Sequence, residues 1–538
     1  MTTLFYNGKI HSMDETLTTA TAMVVCGGKI IELGADYALM QKYPDADLHD
    51  LAGSTVIPGL IDSHAHMFMA ADSEGDGELF IPDSVEQLLE DLARRVKTVP
   101  KGEWIGYKNT YPLRLRELRY PTREELDRIA PEHPVAVDGF YSAQLNSCAL
   151  AAVDLNALPA GGRVMRDASG APTGVLLGCF GMLVSHYPTR KEKPLDRAVA
   201  EVMAAYNRMG ITTSIEGMSH KAGIDAVEQL QRAGEQTVRV RYTMMVPPRA
   251  QHAEFIRGVR AISCANPELA RVAFLKNTID GGILTATSLM DGEYRGLSEI
   301  FGLDGLGTDW RGNLVTDVPT LCDSIRLAQE NHLQFGAHCV GTQAARKLLA
   351  AYERVGGTAG QRHVLIHADF MDAGMIEKAK ELDLTVLFQP AWHYMDAPVL
   401  ERVLNARECA CFMPYMSLLT SGVHAAAGSD HMVKYDPIRS VNPYHPFVAL
   451  HNMITCRARD GQAHGEHQAI DRISALLYYT RHAAWASFDE ELTGSLQPGL
   501  RADFLILDRD YFTCPEEEIC EVRPVATYMD GRCVYHAK

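Results

Sequence analysis

Long hydrophobic runs and a leader-like start are missing from this chain of 538 residues. No uninterrupted apolar run approaches the roughly 18 residues that a transmembrane helix needs. The first residues, MTTLFYN, lack the basic and apolar blocks of a signal peptide. We therefore expect a cytoplasmic protein with no membrane partner.

Positive charge and closely spaced cysteines are also scarce. Lys and Arg number 51 against 68 Asp and Glu, which gives a formal net charge of −17. Phosphate backbones repel such a chain, so we exclude nucleic acid as a partner. The 12 cysteines are scattered, and the close pair Cys409 and Cys411 lacks the CxxC spacing of a redox motif or zinc knuckle. We expect core thiols rather than a disulfide framework.

Both ends of the chain read as β structure. Hydrophobic residues make up 46% of the chain, enough for a large core and more than one domain. Gly27-Gly28 near the start and Asp530-Gly531 near the end each separate two apolar runs, which predicts a β-hairpin at each place. We predict that residues 1–56 and 486–538 form one composite β domain.

The middle of the chain, residues 57–485, alternates strand-like and helix-like runs. Such alternation over this length predicts a parallel sheet or a barrel. Residues 70–195 interrupt it and are far longer than an ordinary connection between strand and helix. We predict an inserted subdomain after the first strand that caps the strand tips; a decorative insertion remote from the chemistry is the alternative.

Two histidines end the apolar stretch VIPGLIDSHAH, residues 56–66. Side chains alternate faces along a strand, so His64 and His66 point the same way and can chelate one metal ion. The pattern by itself also fits a surface pair in a chain with 21 histidines.

Four more ligand-type side chains end or follow short apolar runs. They are Lys276, His338, His367 and Asp430. In a (β/α)8 barrel all strand tips face the end that holds the active site. Residues distant in sequence would then converge there.

The motifs resemble the amidohydrolase superfamily, and more closely its YtcJ-like branch, the amidohydrolase 3 family. Besides the histidines above, the similar segments are 58–66 (PGLIDSHAH), 146–150 (NSCAL), 166–176 (RDASGAPTGVL), 276–281 (KNTIDG), 428–430 (GSD) and 494–503 (GSLQPGLRAD). The resemblance implies an α/β fold: a TIM-type (β/α)8 barrel with an insertion after its first strand and a small β-sandwich domain formed from both termini. It also implies His64, His66, Lys276, His338, His367 and Asp430 as metal ligands.

Three segments depart from the branch. Residues 339–344 (CVGTQA) replace its usual sequence after the fifth-strand histidine, and the acid before the sixth-strand histidine is lost in 362–369 (RHVLIHAD). A usual arginine-bearing stretch is replaced by 282–287 (GILTAT). We expect the metal ligands to be shared with relatives and the substrate contacts to differ.

The ligand types predict the chemistry. Imidazole and carboxylate without thiolate suit one or two divalent ions, Zn²⁺ first, with Mn²⁺, Fe²⁺ or Co²⁺ as alternatives. Such an ion activates water and polarises a carbonyl. We assign Asp430 as the catalytic residue, the base that receives the proton of the attacking water and passes it to the leaving nitrogen.

Lys276 needs a separate explanation, because an ammonium cannot ligate a cation. The resemblance implies a carbamylated lysine that bridges two metals. The alternative from the residues is a lysine paired with Asp280 or with a substrate anion.

Large side chains next to the strand tips are candidates for substrate binding. They are Phe68, Trp392, His393 and Met432, which would suit an apolar or aromatic group; ordinary packing under loops is the alternative for each.

The function predicted is hydrolysis of a C–N bond in an amide, formamide, carbamate or cyclic amide of a small molecule. Deamination of a heterocycle or ester hydrolysis on the same site is the second reading, and a non-catalytic binding protein is the third. We expect a homodimer or higher homo-oligomer.

Overall fold

A computed structural model describes residues 2–75, 80–159, 161–179, 181–187, 193–262, 264–297, 310–433 and 435–537. The strands in chain order are β1 (Thr2–Tyr6), β2 (Lys9–His11), β3 (Thr19–Ala20), β4 (Ala22–Cys26), β5 (Lys29–Gly34), β6 (Asp47–Asp50), β7 (Thr55–Pro58), β8 (Leu60–Ala65), β9 (Ile105–Lys108), β10 (Val135–Asp138), β11 (Ser142–Leu145), β12 (Arg163–Arg166), β13 (Pro172–Leu177), β14 (Ile211–Glu216), β15 (Arg239–Met245), β16 (Ala270–Thr278), β17 (Gln334–Cys339), β18 (Val364–His367), β19 (Thr385–Phe388), β20 (His424–Ala427), β21 (Phe504–Leu507), β22 (Pro524–Met529) and β23 (Arg532–His536).

The α-helices follow the same order. They are α1 (Asp36–Lys42), α2 (Met67–Gly75), α3 (Val85–Arg95), α4 (Arg123–Ile129), α5 (Ser147–Ala152), α6 (Leu195–Arg208), α7 (Lys221–Ala233), α8 (His252–Ala261), α9 (Val318–Glu330), α10 (Thr342–Val355), α11 (Ala373–Glu381), α12 (Pro390–Val403), α13 (Ala406–Cys409), α14 (Tyr415–Ser421), α15 (Pro446–Thr455), α16 (Arg472–Tyr478) and α17 (Arg481–Ala486). Among the described residues, no helix combines the length and apolar character that a membrane span requires.

The predicted barrel is confirmed as a nearly closed ring of eight parallel strands. The sheet order is β8-β14-β15-β16-β17-β18-β19-β20. These strands are short and apolar, and β18 and β19 are buried throughout. Strands that are covered on both faces read as continuous apolar runs, which is why the sequence shows apolar blocks here rather than alternation.

Hydrogen bonds beyond the strand ends close the ring between β20 and β8. The Asp430 N–H donates to the His64 carbonyl over 2.7 Å, and the His66 N–H donates to the His431 carbonyl over 2.7 Å. The buried Asp62 carboxylate accepts from the Ser429 N–H at 2.9 Å and from the Ser429 hydroxyl at 2.6 Å. The first and eighth strands therefore meet at the residues that carry candidate ligands.

Amphipathic helices return the chain between the barrel strands. In α10 the buried residues Ala344, Ala345, Leu348, Leu349 and Tyr352 recur at intervals of three and four. That spacing puts them on one helix face, which packs toward the barrel. The helices thus cover the outer surface of the strands.

Strands from both termini form two further sheets. One has the order β5-β4-β1-β6, and the other has the order β23-β22-β21-β7-β2-β3. Leu505 of β21 lies opposite Ile57 of β7, so the second sheet contains both ends of the chain. Phe5 and Phe504 share one hydrophobic cluster that spans the two sheets. The division into domains and the β-sandwich stay predictions.

Both hairpins expected from the sequence are present. Gly27 and Gly28, with φ of 58° and 78°, join β4 to β5, and Asp530 and Gly531, with φ of 51° and 69°, join β22 to β23. Positive φ at two successive positions is the reason that these turns use glycine and aspartate.

The segment between β8 and β14 folds around its own sheet. Its order is β12-β13-β11-β10-β9, and α3, α4 and α5 accompany it. Of the predicted insertion 70–195, residues 76–79, 160, 180 and 188–192 lie outside the described residues. The described part reaches the strand tips of the barrel through Tyr111, Arg114 and Tyr141.

Two fully buried arginines of β15 tie the barrel to the C-terminal part of the chain. Arg239 pairs with Asp503 at 2.9 Å and with Asp530 at 2.6 Å. Arg241 pairs with Asp489 at 2.6 Å. Both guanidinium groups are 0% exposed, so each charge depends on its partner.

We predict that Arg239→Met lowers the free energy of unfolding by about 3–5 kcal/mol, because it leaves Asp503 buried without its cation. Urea denaturation measures the loss. Arg249→Met is the control: Arg249 pairs with Asp323 but is 80% exposed, so its loss should change stability by less than about 1 kcal/mol. Equal effects of the two substitutions would contradict the prediction.

Candidate metal centre

The carboxyl ends of the barrel strands bring the predicted ligands together. His64 lies in β8 and His66 follows that strand directly, Lys276 lies in β16, His338 lies in β17, and His367 ends β18. Asp430 follows β20 by three residues. His64, His367 and Asp430 each offer a ligand atom, and these atoms all lie within 4.8 Å of one another.

The two other histidines border this group. His66 Nε2 lies 3.2 Å from Asp430 Oδ1, and His64 Nε2 lies 3.6 Å from the same oxygen. The His338 ring stands 4.6 Å from that of His367, centroid to centroid. His338 Nε2 lies 3.1 Å from the Gly281 carbonyl oxygen. Residues up to 366 positions apart in the sequence thus lie in contact.

Several buried polar atoms of this group have no partner among the described residues. They are His64 Nδ1, His66 Nδ1 and Asp430 Oδ1. Buried polar groups are normally hydrogen-bonded. Asp430 Oδ1 faces the Nε2 atoms of His64 and His66, so an ion between them would account for this oxygen. A set of imidazoles and one carboxylate at this spacing fits a divalent metal ion.

Burial also holds the histidines in the form that binds metals. Desolvation lowers the pKa of His338 to about 3 and the pKa values of His64 and His367 well below their ordinary range. The imidazoles are therefore neutral, and neutral imidazole is the metal ligand.

Lys276 is buried beside His64. Its Nζ lies 3.3 Å from His64 Nε2 and donates to the Gly217 carbonyl over 2.9 Å. Desolvation lowers the pKa of this amine to about 8. The alternative partner Asp280 is engaged elsewhere, because its carboxylate accepts from the backbone N–H groups of Leu289, Val340 and Gly341.

His367 is fixed by two side chains that follow β19. Its Nδ1 lies 2.7 Å from the Gln389 Oε1, and the Trp392 ring stacks on it at 4.9 Å. Because an amide oxygen only accepts, Nδ1 carries the proton and Nε2 keeps its lone pair for a metal.

The candidate ligand group contains two strained backbone positions, and a glycine approaches two of its histidine rings closely. His367 and Asp430 have φ of 72° and 54°, in the left-handed region that disfavours side chains. A Cβ at Gly217 would lie 2.7 Å from His64 Cε1 and 2.8 Å from His66 Cε1. Only glycine leaves room for both rings here.

A mainly apolar cavity opens onto the metal group. Its metal-group side is formed by His66, Lys276, His338, His367 and Asp430. Its apolar walls are Met69, Tyr111, Phe140, Tyr141, Met218, Met245, Ile283, Leu284, Trp392 and Met432, and its other polar residues are Arg114, Thr278, Thr285 and Asn442.

Of the four predicted substrate-binding residues, two line this cavity and two do not. Trp392 and Met432 line it. Phe68 lies away from it and stays a prediction: the ring is fully buried, 5.4 Å from His220, because α2 begins at Met67 and turns Phe68 toward α7.

His393 also lies away from the cavity, for a similar reason, and its role stays a prediction. Trp392 and His393 are consecutive in α12, so they leave the helix on different sides. His393 is held by the His464 carbonyl at 3.0 Å and by the Asn452 amide at 2.9 Å, away from the cavity.

Sequence reasoning missed most of the cavity walls, including the four residues that follow. Tyr111, Arg114 and Tyr141 come from the inserted segment, whose position over the barrel has no local signature. Asn442 lies in the loop after β20, twelve residues beyond Asp430. The length of that loop at the active end of the barrel was the one signal that could have found Asn442.

Known proteins are similar to this chain over nearly its full length. The N-substituted formamide deformylase of Arthrobacter pascens is 26% identical over 550 aligned residues that cover 98% of this chain and 97% of the relative. The amidohydrolase YtcJ of Bacillus subtilis is 24% identical, and 99% of each chain is covered.

Solved structures agree on the fold. A metal-dependent hydrolase from Pyrococcus horikoshii superposes with a TM-score of 0.70 at 21% identity, and the match covers 96% of this chain and 99% of that one. The profile of the amidohydrolase family matches residues 47–535. That match spans most of the chain, so the resemblance inferred from the motifs is confirmed: the protein belongs to the amidohydrolase family, and it is a hydrolase by that membership.

Proposed function

We propose that this hydrolase is metal-dependent and cleaves a C–N bond in an amide, formamide, carbamate or cyclic amide of a small molecule. The observation that carries the proposal is the buried group His64, His367 and Asp430, whose Asp430 Oδ1 has no partner among the described residues beside an apolar cavity. The similarity to a formamide deformylase supports the reaction type. Zn²⁺ suits the donor set best, with Mn²⁺, Fe²⁺ and Co²⁺ as alternatives.

His64, His66, His338, His367 and Asp430 would hold the ion. A bound divalent ion supplies an activated water and polarises a carbonyl. Asp430 Oδ1 would then accept the proton of the attacking water and deliver it to the leaving nitrogen as the C–N bond breaks. The apolar walls exclude bulk water from these steps, which strengthens each electrostatic contact.

Lys276 is proposed as a carbamylated ligand. Because burial lowers its pKa to about 8, a sizeable share of the amine is neutral near neutral pH. The neutral Nζ would attack carbon dioxide, form an N–C bond and release one proton. The resulting carbamate carries a negative charge and two oxygens, which suits a ligand between two ions.

The cavity favours an uncharged substrate with an apolar group. Arg114 is the cation on its wall besides Lys276, and both oxygens of the Asp396 carboxylate bind it, at 2.8 and 2.9 Å. Its other hydrogen bonds go to the Val441 carbonyl and to Asn442, and its Cζ lies 5.3 Å from the centroid of the Tyr111 ring. A substrate carboxylate would therefore enter without a free partner. The homo-oligomeric state and the cytoplasmic location stay predictions.

The first prediction from this proposed function concerns the metal. Chelation should abolish turnover, and added Zn²⁺ or another divalent ion should restore it. Gly217→Ala should lose both metal and turnover, because its methyl group would displace the rings of His64 and His66. Metal analysis and amide turnover measure this. Gly258→Ala in α8 is the matched control, since a Cβ there meets nothing within 4 Å. Full turnover of rigorously metal-free protein would refute the proposal.

The second prediction concerns the proton carrier. Asp430→Asn, prepared with excess metal, should retain most of its metal and lose about 10²–10⁴-fold in kcat, the usual worth of a general acid–base group. His64→Ala should lose metal and activity together. Near-normal turnover of Asp430→Asn would show that another base acts here.

The third prediction concerns the substrate. In matched pairs of N-alkyl or N-aryl formamides, a carboxylate on the substituent should lower kcat/KM by at least about 100-fold, since burial of an unpaired charge is costly. Assays of amine release report it, and ammonia release from heterocyclic amines would instead indicate a deaminase. Equal rates for charged and neutral members would contradict the assignment.

A further inference from the structure

We propose that Asn442 is a positioning residue for Asp430, and that Arg114 and Asp396 set its orientation. The inserted segment would thereby help to build the catalytic site, beyond lining it. The proposal rests on the proposed function in taking Asp430 as the proton carrier. Its parts come from three segments that only the fold brings together.

The first step is the contact between Asn442 and Asp430. Asn442 Nδ2 donates to Asp430 Oδ2 over 3.1 Å and to the Asp430 carbonyl over 2.8 Å. Asn442 is buried, so no bulk water replaces these bonds. One amide group thus holds both the side chain and the backbone of Asp430, a residue whose φ of 54° is strained.

The second step is the orientation of the amide. Arg114 Nη2 donates to Asn442 Oδ1 over 3.2 Å. A guanidinium has only donors, so the amide oxygen has to face Arg114. The amide nitrogen then faces Asp430, where a carboxylate can only accept.

The third step is the anchoring of Arg114. Asp396 in α12 binds it with two oxygens, and the Val441 carbonyl next to Asn442 accepts a further bond. Planar two-point pairing of this kind fixes the guanidinium in space. Arg114 lies in the inserted segment, Asp396 follows the seventh strand, and Asn442 follows the eighth.

The consequence falls on the free oxygen of Asp430. With Oδ2 bound to Asn442, Oδ1 accepts no hydrogen bond from the described residues and faces His66 Nε2 at 3.2 Å. The plane of the carboxylate is therefore set, and one oxygen is directed at the histidine group. A carboxylate without this restraint would be free to rotate away from it.

The experiment begins with Asn442→Leu, which keeps the volume and removes the donor. In metal-saturated protein, kcat should fall about 10- to 100-fold, as for a lost hydrogen bond to a charged group, while KM stays nearly constant. A chelator-competition titration, which needs no substrate, should show a metal dissociation constant raised about 10-fold. Asn442→Asp, of equal size, should be at least as impaired because its carboxylate repels Asp430.

Asn207→Leu is the matched control. Asn207 is equally buried and donates to the Ile211 and Thr237 carbonyls at the opposite end of the barrel. It should change stability while kcat and metal affinity stay the same. This control separates loss of a buried amide from loss of the contact with Asp430.

The role of the inserted segment is tested by Arg114→Met with Asp396→Leu. The pair removes both charges at once, so no uncompensated buried ion remains. The kcat of this double variant should fall as well. The triple variant, which adds Asn442→Leu, should have a kcat no more than about 2-fold below that of Asn442→Leu alone, because all three residues act through one contact. If the loss of kcat in the triple variant equals the product of the losses in the double variant and in Asn442→Leu, the role of Arg114 and Asp396 is overturned.

Two results would overturn the role of Asn442 itself. One is a raised KM with unchanged kcat and metal affinity, which would make it a wall of the cavity. The other is an Asn442→Leu variant that behaves like Asn207→Leu, with changed stability but unchanged kcat and metal affinity. If the unaltered protein turns over no amide, the proposed function fails, and the metal titration still decides whether Asn442 positions Asp430.

Discussion

The hydrogen bonds between Asp62 and Ser429 join the first and last strands of the barrel, and the site depends on them. His64 follows Asp62 by two residues, and Asp430 follows Ser429 directly. The barrel closes at this contact, and the same contact brings the two ligand-bearing strand ends side by side. Closing the fold and assembling the ligands are thus one event. Burial raises the pKa of Asp62 to about 6, and the bonds from Ser429 oppose that rise.

Desolvation then sets the chemistry of the group. Imidazoles and a lysine that are removed from water lose preference for their protonated forms. The same burial leaves His64 Nδ1, His66 Nδ1 and Asp430 Oδ1 without partners in the described parts of the chain. Such an arrangement is costly for a free protein and favourable for one that binds a divalent cation. The unpartnered groups lower the stability of the metal-free protein, and they leave the donor atoms already arranged for an ion.

The inserted segment completes the cavity from above the strand tips. Tyr111 and Tyr141 supply apolar surface, whereas Arg114 supplies a charge that Asp396 neutralises. A neutralised ion pair on the wall can position neighbours without attracting anions. Under the proposed function, the same segment would disfavour charged substrates and, through Asn442, contact the proposed proton carrier.

The sequence by itself determined the barrel class and the hairpins at the two ends, and it named His64, His66, His338, His367 and Asp430 as candidate ligands. These features are local: an apolar run, a turn pair or a residue at a strand tip is written in a few neighbouring positions. Only the tertiary structure decided which neighbours face the cavity. Phe68 and His393 turned away, because a helix that starts one residue earlier or later rotates each side chain by about 100°. Arg114, Asp396 and Asn442 met because packing brought three distant segments together, and no local pattern encodes that contact.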